Sequence, residues 1–151
     1  MTNAAVPADD APFPRLGLDI SERRIGLAMH DSPLAGPQPL FTYARTTRAQ
    51  DLERLAEWVQ RYGAGAVIVG LPLNMDGTPG PRAQWMHRFT HELQRRVTVP
   101  VRLQDERLTT VEAEALLAER GARGADVDAL AAALILERFA QETHGDTAAT
   151  T

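Results

Sequence analysis

The run AVIVGLP, residues 66–72, is apolar at successive positions and bounded by Gly65 and Pro72. A strand points successive side chains to opposite faces, so a run with no polar alternation needs cover on both sides. It predicts a central parallel strand with helices above and below. The chain therefore has to alternate strands with helical crossovers, and the surrounding sequence supplies them.

RLGLDI (15–20) and RIGLAMH (24–30) are short apolar runs at hairpin distance, with SERR making the turn, and PLFTYA (39–44) is a third strand. Links this short make the three antiparallel. The period then changes. Leu52, Leu55, Ala56 and Val59 make one apolar face, predicting a helix from Gln50 to Tyr62. A second helix over 80–96 sets Trp85, Phe89 and Leu93 one turn apart, with Pro81 in its first turn. VPVRLQDE (99–106) is the last strand. Thr109 or Thr110 caps a third helix that stops at Gly121, with Thr109 and Glu112 spaced as a capping box. The final helix runs from about Asp126 to Gln141, with Asp128, Ala131, Ala132, Ile135 and Phe139 on one face. The order is βββαβαβαα: an α/β fold with a mixed five-stranded sheet and helices on both faces. Right-handed crossovers gather the carboxyl ends of its parallel strands, where such sheets hold their sites.

One domain accounts for 151 residues, with 1–14 expected as a flexible leader, 15–141 as the folded unit and 142–151 as a flexible polar tail. The absence of cysteine excludes disulfides and zinc–thiolate sites. The leader lacks the basic start and apolar centre of a signal peptide, and no apolar run reaches spanning length, so no membrane role and a cytoplasmic location are expected. A net charge of -4 argues against a protein that coats nucleic acid. It leaves a nuclease open, because metal-binding carboxylates count against the total and binding follows the local field. All 16 basic residues are arginine, a uniformity that fits compositional bias.

Three acidic residues stand where apolar elements meet loops: Asp19 ends the first strand, Glu106 ends the last, and Asp128 opens the final helix on its packed face. Gathered together, they make a hard oxygen site for Mg²⁺ or Mn²⁺. Cutting a phosphodiester with metal ions needs such a site, and two ions about 3.5–4 Å apart would share Asp19. Each residue also has a plainer reading. Asp19 fits a solvated strand end, Asp128 a helix cap with Asp126 as competitor, and only one of Asp105 and Glu106 can face the site. Arg23, Arg24, Arg82 and Arg107 lie near these positions and would receive a phosphate backbone. Asn74 and Asp76 either order the NMDGTPGP loop through Asx turns or touch substrate. His87 and His91 are four apart on a helix but lack the metalloprotease glutamate, and read as a surface face. Ser21 lacks nucleophile-elbow glycines.

LGLDISERRIGLA, VIVGLPLNMDGTPG, LQDERLTTVEAEALL and DVDALAAALILERF closely resemble segments of the bacterial pre-16S rRNA nuclease family. Its members are also described as Holliday-junction-resolvase-like proteins of the ribonuclease H-like superfamily. The resemblance covers about residues 15–141 and implies that fold. It maps the family's acidic positions onto Asp19, Glu106 and Asp128, and its loop asparagine and aspartate onto Asn74 and Asp76. It implies a divalent-metal-dependent nuclease that trims the 5′ end of precursor 16S rRNA, with that RNA or the immature small ribosomal subunit as partner. Related proteins resolve DNA junctions, so branched DNA is the alternative substrate, and a non-enzymatic ribosome-assembly factor is the rival of a different class. A monomer or weak dimer is expected. Two positions depart from the family pattern: Ser21 stands where a glycine is common, and Asp126 where a basic residue is common.

Overall fold

The computed structural model describes residues 11–72, 76–106, 115, 118–119 and 126–150. Its elements are β1 (Arg15–Ile20), β2 (Arg24–His30), β3 (Gln38–Ala44), α1 (Arg48–Arg61), β4 (Ala66–Pro72), α2 (Pro81–Gln94), β5 (Val101–Glu106) and α3 (Asp126–Thr150). They form one sheet in the order β3-β2-β1-β4-β5. β1, β2 and β3 pair antiparallel, and β4 runs parallel to both β1 and β5. The expected mixed five-stranded sheet is therefore present, with β4 next to its centre. The helix expected after Thr109 lies outside the described residues, apart from Ala115, Ala118 and Glu119, which are helical.

Each face of the sheet has its own core. On one, Leu16, Leu18, Ile25, Leu27, Val67 and Val69 meet Leu52 and Leu55 of α1 and Met86, Phe89 and Leu93 of α2. On the other, Ala28, Ala66 and Ile68 meet Ala132, Ala133, Ile135 and Leu136 of α3. Strand parity explains the split: each strand sends alternate residues to the α1–α2 layer and to α3.

The α3 face is floored by glycine, and the reason is steric. A Cβ on Gly26 would lie 1.9 Å from the carbonyl oxygen of Asp128, and one on Gly17 would lie 2.6 Å from Cγ of Leu136. The helix thus rests directly on the strands, and its alanines make the close approach possible from the other side.

Several boundaries differ from the sequence expectation. α1 begins at Arg48, two residues before Gln50, because the Thr47 hydroxyl accepts the amide of Gln50 and caps the helix. α3 continues to Thr150, past Gln141. No proline follows Gln141 to stop it, and a helix nucleated by packed turns extends at little cost per residue. Residues 11–14 are tied to the folded unit. Ala11 is buried, its carbonyl accepts from Arg15 Nε at 2.7 Å, and the Pro14 carbonyl accepts from the Gly65 amide.

Candidate active site

Asp19 pairs in register with Gly26 and sits on the α3 face, one residue beyond the Leu18–Val69 pair. In β5 the Gly70–Gln104 and Pro72–Glu106 pairs put Glu106 on that same face and turn Asp105 to the other. This resolves the choice that the sequence left open. Asp128, on the first turn of α3, is buried. Three elements far apart in sequence thus bring the three expected carboxylates to one end of one face.

The electrostatics record their convergence. Burial, and then the charges of Asp128 and Glu106, push the Asp19 carboxyl up from 3.8 to about 6, while Arg82 pulls against them. Asp128 carries a counter-charge, because Arg24 Nε donates to its Oδ2 at 2.7 Å. Arg138 approaches Glu106 at 3.9 Å. As the side chains stand, no group of three acidic or histidine residues among the described residues is gathered to hold a metal ion.

Of the other expected residues, Arg24 and Arg82 are at the site. Arg82 Nη2 donates to the Ile20 carbonyl at 2.8 Å, beside Asp19. Arg23 is exposed, and its backbone carbonyl accepts from the Arg45 amide. Asp76 orders its loop, with Oδ1 accepting the amide and hydroxyl of Thr78 at 2.9 and 2.7 Å. Asn74 and Arg107 lie outside the described residues. His87 and His91 are exposed on α2.

Sequence reasoning missed the network behind Arg82. Asp51 is fully buried and accepts from Tyr43 Oη (2.8 Å), Arg45 Nε (2.9 Å) and the Thr46 amide (2.9 Å). Burial raises its carboxyl, but these donors outweigh burial and hold it below the ordinary value. Arg45 in turn donates from Nη1 to the Ser21 carbonyl at 2.9 Å, tying the β1–β2 turn to α1. In sequence Asp51 is a first-turn acid and nothing more, because the donors that mark it lie outside its helix.

The sheet order and its flanking helices define the ribonuclease H-like class of α/β fold. Residues 14–142 match the family model described as RuvX, Holliday junction resolvase. A relative from Anaeromyxobacter sp. (strain Fw109-5), named as a candidate pre-16S rRNA nuclease, is 44% identical over 133 residues, covering 85% of this chain and 97% of its own. One of the same name from Thermoanaerobacter pseudethanolicus (strain ATCC 33223 / 39E) is 41% identical over 129 residues, covering 82% and 93%. The chain belongs to the RuvX family. Among solved structures, Thermus thermophilus RuvC superposes with a TM-score of 0.56 at 16% identity, covering 85% of this chain and 95% of that one. At that identity the likeness is one of fold.

Proposed function

We propose that the protein is a divalent-metal-dependent nuclease that processes the 5′ end of precursor 16S rRNA in the cytoplasm, acting through Asp19, Glu106 and Asp128. The carrying observation is that Asp19 is burdened by both other carboxylates, with Arg82 as the offsetting charge. Such a concentration of negative charge suits a hard cation, and the donors are all oxygen. Arg24 holds the place of positive charge at Asp128, and its side chain is 53% exposed, so it can swing away. With Arg24 swung away, Asp19, Glu106 and Asp128 would hold one or two ions, Mg²⁺ or Mn²⁺. When bound, such ions polarise the phosphate, activate water and stabilise the leaving 3′ oxygen.

The chain's own groups supply positioning. Arg82, fixed by its bond to the Ile20 carbonyl, presents a guanidinium beside Asp19 for a non-bridging phosphate oxygen. Arg24, released from Asp128, would serve a second backbone phosphate. Gly26 keeps Asp128 close enough to act with Asp19.

The test is cleavage of a labelled precursor 16S 5′-leader RNA beside an intact DNA four-way junction, in Mg²⁺, Mn²⁺ or EDTA. Metal-dependent RNA cleavage that disappears in Asp19→Asn and Asp128→Asn is expected. Cleavage of the junction alone would replace RNA with branched DNA as substrate, the reading that the RuvX family description favours. Full RNA cleavage by both variants would sink the carboxylate mechanism.

A further inference from the structure

α3 crosses the sheet obliquely. Asp128 lies over Gly26 of β2, Ala132 and Leu136 over Gly17 of β1, and Ile135 over Gly70 of β4. Just short of a turn further on, Arg138 comes within reach of Glu106 on β5, Nη1 to Oε1 at 3.9 Å. Side chains on a helix lean toward its N-terminus, so this guanidinium is aimed back at the end of the sheet that holds Asp19 and Asp128. The carboxylates therefore have an arginine at each flank, Arg24 on the β2 side and Arg138 on the β5 side.

The two arginines are held differently. Arg24 donates to Asp128 at 2.7 Å, a direct charged hydrogen bond. Arg138 stands beyond hydrogen-bonding range of Glu106, donates no hydrogen bond among the described residues, and keeps 36% of its side chain exposed. An ion pair this long and this open to solvent adds little to stability, so the fold alone does not account for a guanidinium here. α3 carries one arginine, and it is the one that faces the site.

We propose that Arg138 is a further substrate-binding residue of the active site, taking a backbone phosphate on the β5 side of Glu106 while Arg24 takes one on the β2 side. This rests on the nuclease reading above and gives the cut strand a direction: it lies across the end of the sheet, over β2, β1, β4 and β5 in turn. Three strand spacings separate β2 from β5, about 14 Å, which exceeds the step between neighbouring phosphates of one strand. Arg24 and Arg138 therefore hold different phosphates, with the carboxylates between them. A lysine at 138 would keep the attraction as a point charge and lose the forked contact.

Binding is measured in EDTA, apart from cleavage, by fluorescence anisotropy of the full chain with labelled leader RNA over a NaCl series. Losing one phosphate contact flattens the dependence of log affinity on log salt by about 0.7 to 0.9. Arg138→Gln should show that flattening, with several-fold weaker binding at low salt. Arg138→Lys should retain the slope. Arg61→Gln, which changes an exposed arginine in the last turn of α1, should leave slope and affinity as they are. Arg24→Gln combined with Arg138→Gln should flatten the slope by the sum of the two. Should Arg138→Gln fail to fold, Arg138→Met keeps the aliphatic stem and takes its place. An unchanged slope in Arg138→Gln overturns the proposal. So does a double variant no flatter than either single one, which would put both guanidinium groups on one phosphate. If leader RNA is cut while the slope is unchanged, the contact falls and the nuclease reading stands. If the slope flattens but no RNA is cut in Mg²⁺ or Mn²⁺, the reverse holds.

Discussion

Asp19 sets function against stability within one side chain. Its carboxyl is raised from 3.8 to about 6 by burial and by Asp128 and Glu106. The folded state therefore holds the proton more tightly than the unfolded chain does. The stability tied to that proton is fully present below about pH 4 and is lost as pH rises through about 6. A rise from 3.8 to about 6 corresponds to roughly 3 kcal/mol above pH 7. Asp19→Asn removes the ionised form, so in EDTA at pH 7.5 it should be more stable than wild type by up to about 3 kcal/mol while inactive. Urea melts across pH should show that advantage shrinking below pH 6 and vanishing near pH 4. An advantage independent of pH would mean that the charge on Asp19 is not what strains the site.

At the level of elements, the contact between α3 and the sheet places the site, and Gly26 is its tightest point. An added Cβ would lie 1.9 and 2.1 Å from backbone atoms of Asp128, which no side-chain rotation relieves. Gly26→Ala should therefore cost about 3 kcal/mol by overpacking and push Asp128 away from Asp19. Urea denaturation would give the first quantity. Activity measured well below the variant's melting temperature would give the second, and normal activity there would show that α3 has room to shift. This dependence was partly legible in the chain. The AVIVGLP run dictated a strand covered on both faces, and the spacing from Asp128 to Phe139 put the aspartate on the packed stripe. Strand alternation allowed only one of Asp105 and Glu106 on the face of Asp19, and β5 register puts Glu106 there. Side-chain partners were not legible. Arg24 and Asp128 are 104 residues apart, and local periodicity says nothing of which arginine finds which acid. Asp51 was hidden for the same reason, since its donors Tyr43 and Arg45 lie on another element and its loop. The start of α1 escaped because its apolar stripe begins only at Leu52, four residues after the helix does.

For the molecule as a whole, the proposed function makes a cation and Arg24 rivals for Asp128. The acidic chain gathers three carboxylates at one end of the sheet, and Arg24 supplies part of the missing positive charge through its 2.7 Å bond. Any ion that binds the folded site and not the unfolded chain raises stability by mass action, about 2.7 kcal/mol at a concentration one hundred times its dissociation constant. The melting temperature of wild type should therefore climb with Mg²⁺ or Mn²⁺, and that of Asp19→Asn should climb far less. Arg24→Gln removes the rival charge, so its melting curve should respond at lower cation concentration than wild type. The same variant should bind RNA more weakly, since the displaced guanidinium would otherwise meet a phosphate. Thermal melts across a cation titration, with RNA affinity measured in EDTA, read the two effects separately. A cation midpoint unchanged by Arg24→Gln would mean that the ions bind away from Asp128.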